Sequence, residues 1–441
     1  MGVDVGHTGK NPNTCAVRVR KSAAALAVIL LATPATADEL LGADFADLRG
    51  EASVEAILFP EDPLVAGQDH NGLSFSIEPT GTLEWNAVEA LGGADVTATV
   101  RPFLRIDTAD DERTHLDFRE AKLDLRFGDT DVTIGSDIVF WGKTEVDQLV
   151  DIVNQVDGVE GTDGEDKLGQ PMLAVRRIVE LGDFSGQASA FYFPYFRDRT
   201  FLGEESRLRS PIVIDGEDAR YETGGDEWSP GFAARLAGFY GDIDAGIHVF
   251  HGLGRDPAFE VSRVAFIGGQ PVPTELRPVY GRITQIGFDG QYTSGATLWK
   301  AEAIGRFDQR NLAFEKEDYA AAIAGVEHTL YGIGGTEFDL GLIAEYAYDS
   351  RGSRALTPFE NDLVLGARFA LNDAQDTAAL LTAAVDTETQ ETVLRLEGER
   401  RLGDGFKLEI VGQAFLNTDD DSLAHALRED HSLRITLSAF W

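Results

Sequence analysis

The 441-residue chain carries 75 acidic against 38 basic residues, a net charge of −37 that repels nucleic acid and favours cations. Its one cysteine rules out an internal disulfide framework. Past the first few dozen residues nothing approaches the roughly 18 uninterrupted apolar residues of a spanning helix, which excludes a helical membrane protein.

The first stretch reads as an address. Arg18, Arg20 and Lys21 precede an apolar run from Ala23 to Ala32, and Ala35-Thr36-Ala37 supplies the small-residue pattern of a signal-peptidase site. A cleaved leader over 1–37 and a single mature domain over 38–441 are expected. Cys15 lies ahead of the apolar run, so it cannot be a lipoprotein's acylated cysteine, and cleavage leaves a cysteine-free chain suited to an oxidising compartment.

From about residue 46 the pattern alternates with period two, which predicts strands. In "DVTIGSDIVFW", Val132, Ile134, Ile138 and Phe140 share one face; Asp131, Thr133, Asp137 and Trp141 share the other. In "EFDLGLIAEYAYDS", Leu342, Ala344, Tyr346 and Tyr348 oppose Glu337, Asp339, Glu345 and Asp349. Alternation alone fits a soluble sandwich or a barrel. The connections separate the two: tight turns such as 127–130, 181–183, 240–242, 293–295 and 402–405 alternate with long polar stretches near 60–72, 142–170, 195–229, 253–278, 350–361 and 418–430. Short turns at one end and long loops at the other predict an all-β transmembrane antiparallel barrel of the outer-membrane type. Eighteen strands are counted with 259–277 set aside as a hairpin within a connection; sixteen follow if two weak segments are loop.

A barrel in hydrocarbon has no free sheet edge, so the last strand must pair with the first. In "HSLRITLSAFW" (431–441) the outward set is Leu433, Ile435, Leu437, Ala439 and Trp441, with Arg434, Thr436 and Ser438 inward. This strand should close on 48–59, and its terminal aromatics match the girdle at a membrane interface. It also resembles the C-terminal signal read by the barrel-assembly machinery, an expected partner beside outer-membrane lipid.

"FREAKLDLRFGDTDVTIGSDIVFWGKTE" (118–145) resembles a proteobacterial family of porin-like outer-membrane barrels, with support from 151–157, 193–209, 297–306, 324–332, 340–352 and 361–373. The resemblance implies a barrel in the outer membrane of a Gram-negative bacterium and a homo-trimer as the assembly common among porins. The chain departs from the family pattern at Lys122, usually aromatic, and at Ser136-Asp137, commonly Arg-Gln.

With apolar faces outward, the opposite faces line a lumen. Inward candidates are Arg101, Arg105, Glu120, Lys122, Asp124, Arg126, Arg176, Arg177, Lys300, Glu302, Arg306, Glu337, Asp339, Glu345, Lys407 and Glu409. They either line a wet pore or pair across strands and fill it; a barrel this wide favours the pore. The connection 142–170, which follows the fifth strand and is the third external loop, carries Glu145, Asp147, Asp151, Asp157, Glu160, Asp163, Glu165 and Asp166 against Lys143 and Lys167. Its Val146, Leu149, Val150 and Val153 form a helix-like stripe that could pack on the inner wall. The expectation is an acidic constriction facing Arg101, Arg105, Arg176 or Arg177. Arg197, Arg199, Arg207 and Arg209 cluster in the next connection, where internal pairing outweighs anion binding.

No enzyme is expected. There is no Gly-x-Ser-x-Gly elbow, and His248 and His251 fall on opposite faces of a strand, so catalytic, cofactor and metal residues are all left unassigned. The leading expectation is a channel for passive diffusion of small polar or charged solutes. The alternatives are a conduit for an amphipathic molecule, or an adhesive barrel with a blocked lumen.

Overall fold

The computed structural model describes residues 42–145, 147–161, 163–357, 359–419, 422 and 424–441; the expected leader and Cys15 lie outside them. The chain alternates strand and connection throughout. In order the strands are β1 Phe45–Leu58, β2 Asn71–Val88, β3 Ala94–Asp107, β4 His115–Phe127, β5 Thr130–Asp137, β6 Gln170–Leu181, β7 Phe184–Phe193, β8 Val213–Ile214, β9 Arg220–Tyr221, β10 Gly231–Tyr240 and β11 Ile243–Leu253. They continue as β12 Ala258–Ile267, β13 Gln270–Tyr280, β14 Arg282–Ser294, β15 Thr297–Arg310, β16 Lys316–Leu330, β17 Asp339–Asp349, β18 Asn361–Ala370, β19 Ala378–Asp386, β20 Thr392–Arg401, β21 Phe406–Leu416 and β22 Ser432–Phe440.

All but β8, β9, β12 and β13 join one closed, antiparallel, 18-stranded barrel in which each strand pairs with the next and β22 returns to β1. Closure follows from composition. Apolar side chains alternate outward, as Leu342, Tyr346 and Tyr348 do on β17, while Glu345 and Asp349 between them are buried inside. A sheet with that many exposed apolar residues on its outer face must meet something other than water, and closing it leaves no unpaired backbone edge.

The seam runs from Glu51↔Phe440 to Leu58↔Leu433. Past the last paired residues, Trp441 N donates to Gly50 O and Gly50 N to Trp441 O, both at 3.1 Å. The indole lies over Gly50, where a Cβ would come within 2.3 Å of the ring. Both ends of the barrel lie at the rim of short turns, such as 128–129, 182–183 and 241–242; the other rim carries 59–70, 138–169, 194–230, 254–281 and 417–431. At that rim β12 and β13 form the hairpin expected within a connection, and β8 and β9 from 194–230 add to β13 in parallel.

Two local irregularities set side-chain directions. The β3–β4 register steps from Arg101↔Glu120 to Pro102↔Phe118, so Arg119 is an extra residue. A bulge of this kind turns consecutive side chains to one face, and both Arg119 and Glu120 reach inward carboxylate or cation partners. On β5, Gly135 adopts φ 133°, and a Cβ there would sit 2.2 Å from Ala121 O. Gly135→Ala is therefore expected to cost at least about 1–3 kcal/mol through backbone strain. It should lower the temperature at which the compact electrophoretic band of the folded barrel converts to the unfolded one; an unchanged midpoint would mean that the strand relaxes freely.

Candidate functional site: a lumen crossed by a folded segment

Between β5 and β6 the chain turns into the barrel. Asn154 ties the two ends of this crossing segment: its Nδ2 donates to Asp137 O and Leu168 O (2.8 and 2.9 Å), and its Oδ1 accepts from Val139 N at 2.9 Å. Trp141, Val150, Ile152 and Val153 are buried against inward Met172, Ala174, Phe191, Phe193, Ala233, Phe250, Ile283, Ile304, Tyr319 and Ala321. The inner wall thus holds an apolar patch where mixed ions were expected, and the stripe of Leu149, Val150 and Val153 packs on it; Val146 lies outside the described residues. Each such aliphatic side chain withdrawn from water contributes about 1.5–3 kcal/mol. The described part of the segment is built of turns and bends, not the helix its spacing suggested.

Charge anchors the same segment. Glu302, almost wholly buried, accepts from the backbone N–H groups of Lys143 (2.6 Å), Thr144 (3.2 Å) and Val150 (3.3 Å). Glu145 lies between Lys300 (3.2 Å) and Arg368 (2.6 Å), and its N–H donates to Glu345 at 3.0 Å. Lys143 pairs with Asp244, and Asp151 with Lys167 at 3.1 Å. Asp147 is held half-buried, and shielding from water, with Asp256 and Glu302 nearby, raises its pKa to about 6. Arg255, from the 254–281 connection, donates to the carbonyls of Ile152 (3.1 Å) and Val153 (2.6 Å). Further along, Glu160 meets Arg105 (2.8 Å), Asp163 meets Arg395 (2.6 Å) and Asp166 meets Arg119 (3.5 Å).

Glu302→Gln removes the charge that accepts these three donors while preserving shape. Charge-assisted hydrogen bonds contribute about 1.5–3 kcal/mol, so the segment is expected to loosen by about 2–4 kcal/mol, measured as faster limited proteolysis within 142–170 of an otherwise folded barrel. Wild-type cleavage kinetics would show that Glu302 does not anchor it.

Most expected lumen residues are inward and paired. Arg101 meets Glu120 at 3.0 Å, Arg105 meets Glu55 at 3.0 Å, and Arg306 meets Asp256 at 2.6 Å beneath Tyr319. Asp124 accepts from Thr133, and Arg176 donates to Thr133 at 2.7 Å and lies 3.4 Å from Asp137. Lys122 pairs with Asp137 at 2.6 Å. Arg126 is exposed beside the 128–129 turn, bound to Asp131 at 2.9 Å. Arg177 shares the outward face of exposed Leu173 and Val175, because consecutive strand residues alternate and only Arg176 can face the lumen. Glu337 precedes β17 and is exposed in the turn.

Among the cations that meet the segment, Arg119, Arg368 and Arg395 were not singled out. Arg368 and Arg395 sit at regular inward positions that a complete period-two count would include; Arg119 depends on the bulge. The arginines of 194–230 disperse: Arg197 meets Asp117 at 3.0 Å, Arg207 meets Asp430 at 2.6 Å, and Arg209 donates to the carbonyls of Glu204, Ser210 and Pro211. His248 is buried beside Gln285, whereas His251 bonds Thr284 on the exposed face.

Solvation of the wall is lopsided. Against the segment's apolar side, Gln285, Asp289 and Glu302 are 0–1 % exposed. Across the lumen the side chains of Arg368, Lys407 and Arg395 are 40, 30 and 23 % exposed. The segment is therefore seated by its apolar side against β6, β7, β10, β11 and β14–β16, and the lumen side chains of β18–β21 are the more solvated. On this side the segment's Glu145, Asp163 and Asp166 are in direct ion-pair contact with the wall residues Arg368, Arg395 and Arg119.

No protein-family model matches the sequence, and no curated protein is significantly similar to it. Among solved structures the chain is similar to Wzi, an outer-membrane protein involved in group 1 capsule assembly in Escherichia coli and a carbohydrate-binding β-barrel, at 11 % identity and TM-score 0.50, over 92 % of this chain and 87 % of that one. Others are Salmonella typhi OmpF in complex with daunomycin (9 % identity, TM-score 0.46, 90 % and 98 % covered) and the outer-membrane channel DcaP of Acinetobacter baumannii (12 %, 0.41, 90 % and 96 %). At these identities the likeness is one of fold.

Proposed function

We propose that the chain is a porin-like barrel of a Gram-negative outer membrane through which small polar or charged solutes diffuse, narrowed by the segment 142–170. What supports this reading is the partly exposed charge of Arg368, Arg395 and Lys407 on the side of the lumen away from the segment's apolar contacts. A partly solvated interior lined by fixed charge favours polar and charged solutes over apolar ones. A cleaved leader over 1–37, insertion by the barrel-assembly machinery and a trimeric assembly belong to the same reading.

The test is conductance of the refolded protein in planar bilayers, with reversal potential under a salt gradient. Ohmic single-channel steps are the expected result, and their absence from an inserted, folded barrel would overturn the channel reading. A second reading, a barrel with its lumen shut whose rim binds a partner such as an oligosaccharide, draws on the interlocked long connections. There Arg207 is buried on Asp430 and on the carbonyls of Glu61 and Glu429. It predicts no steps and saturable saccharide binding.

A further inference from the structure

Where the crossing segment meets the head of β4, three side chains converge with polar atoms that their other contacts leave over. His115 Nε2 lies 3.5 Å from Glu160 Oε1 and 3.9 Å from an oxygen of Asp157, and these ligand atoms all lie within 4.8 Å of one another. Each group is fixed through its other polar atom. His115 Nδ1 is 3.2 Å from Arg113 O, a carbonyl that can only accept, so Nδ1 carries the proton. Asp157 Oδ1 accepts from Thr200 Oγ1 at 2.7 Å, and Glu160 Oε2 is held by Arg105 at 2.8 Å. The atoms left over, His115 Nε2 and Glu160 Oε1, are buried and have no hydrogen-bond partner among the described residues.

This is an unfavourable arrangement unless something sits between them. With the proton on Nδ1, an Nε2 that carries none aims its lone pair at Glu160 Oε1, and two buried polar atoms left facing each other without a donor are costly. A divalent cation reverses the sign. Bond lengths of about 2.0–2.2 Å to His nitrogen and carboxylate oxygen imply ligand spacings of about 3.0–3.5 Å; the two His115 distances, 3.5 and 3.9 Å, lie at or near that range, and the two carboxylate oxygens, within 4.8 Å of each other, must draw together. The histidine's other nitrogen resting on a backbone carbonyl is the support that metal-bound imidazoles use. One imidazole and two carboxylates suit a first-row transition ion such as Zn²⁺ better than Ca²⁺ or Mg²⁺, which prefer oxygen alone.

We propose that His115, Asp157 and Glu160 bind a divalent transition metal that clamps the crossing segment to the barrel wall. Through Thr200 the clamp also engages the 194–230 connection, so three separate parts of the chain are joined at one point. The inference is independent of conduction, since a shut barrel could hold the same ion.

The test uses the full refolded barrel in detergent, stripped with chelator and titrated with Zn²⁺ by equilibrium dialysis, with Co²⁺ as a visible-absorption probe. One equivalent of Zn²⁺ is expected, with Co²⁺ bands showing nitrogen–oxygen ligation and slower proteolysis inside 142–170 when metal is present. His115→Gln should weaken binding at least tenfold and remove the bands while the barrel keeps its heat-modifiable form. Asp157→Asn is the second variant, since Glu160 also serves Arg105. Asp362→Asn in the separate carboxylate group Glu360, Asp362 and Asp386 is the control and should leave both unchanged. No stoichiometric uptake by the wild type, or uptake unaltered by His115→Gln, would overturn the proposal; protection that follows pH alone would identify a protonated histidine instead and overturn it equally.

Discussion

Excising residues 146–166 is expected to raise single-channel conductance several-fold and to reduce discrimination between ions. The deletion removes the acidic groups of Asp163 and Asp166 and the bulk that Val150, Ile152 and Val153 place inside the wall. What remains is an 18-stranded barrel, a size whose interior side chains alone do not fill it. The excision uncovers Met172, Phe191, Ile304 and other apolar residues to water, takes the Val150 N–H from Glu302 while leaving those of Lys143 and Thr144, and strands Arg255 without its backbone partners. Some stability is lost for that reason, so the compact electrophoretic form must be verified before conductance is read. If the deleted barrel is folded and conducts as the wild type does, the segment is not the constriction and the channel reading loses its main support.

Removing Phe440 and Trp441 is expected to abolish accumulation of folded barrel. Phe440 pairs with Glu51 across the seam and donates to Gly405 O at 2.8 Å, and Trp441 exchanges two hydrogen bonds with Gly50. Their loss opens backbone groups on both β1 and β22 at one end of the closing pair, and each such group costs several kcal/mol where water cannot reach it. The outward indole of Trp441 is lost as well. Heat-modifiable, protease-resistant barrel at wild-type levels after this truncation would show that the seam closes without them.

The barrel itself was legible because its signal is repeated in strand after strand. An alternation that places Tyr346 and Tyr348 against Glu345 and Asp349 leaves little choice of face, and turn lengths sort the two rims. The interior was less legible, for reasons that are three-dimensional. Which cation meets which carboxylate depends on the path of a segment that reaches from Asp137 to Glu345 and Arg395, contacts far apart in the chain. The apolar inner patch hid among residues such as Met172, Phe191 and Ile304, whose inward direction shows only once strand parity is settled. Parity also decides between Arg176 and Arg177. The trio at His115 is invisible in sequence, because its histidine opens one strand and its carboxylates sit on a different connection.

The bulge on β4 has a consequence for how such a lumen can change over generations. Ordinarily a one-residue insertion in a strand turns over every side chain beyond it, exchanging lipid-facing for water-facing residues and destroying the barrel. At Arg119 the additional residue is absorbed locally: His115 and Asp117 before it, and Lys122 and Asp124 after it, all keep partners on the inside. Loss of the Arg119 codon would therefore remove one lumen charge and leave the rest of the strand in frame. It is a place where the interior can be re-charged by length variation, a route closed to a regular strand.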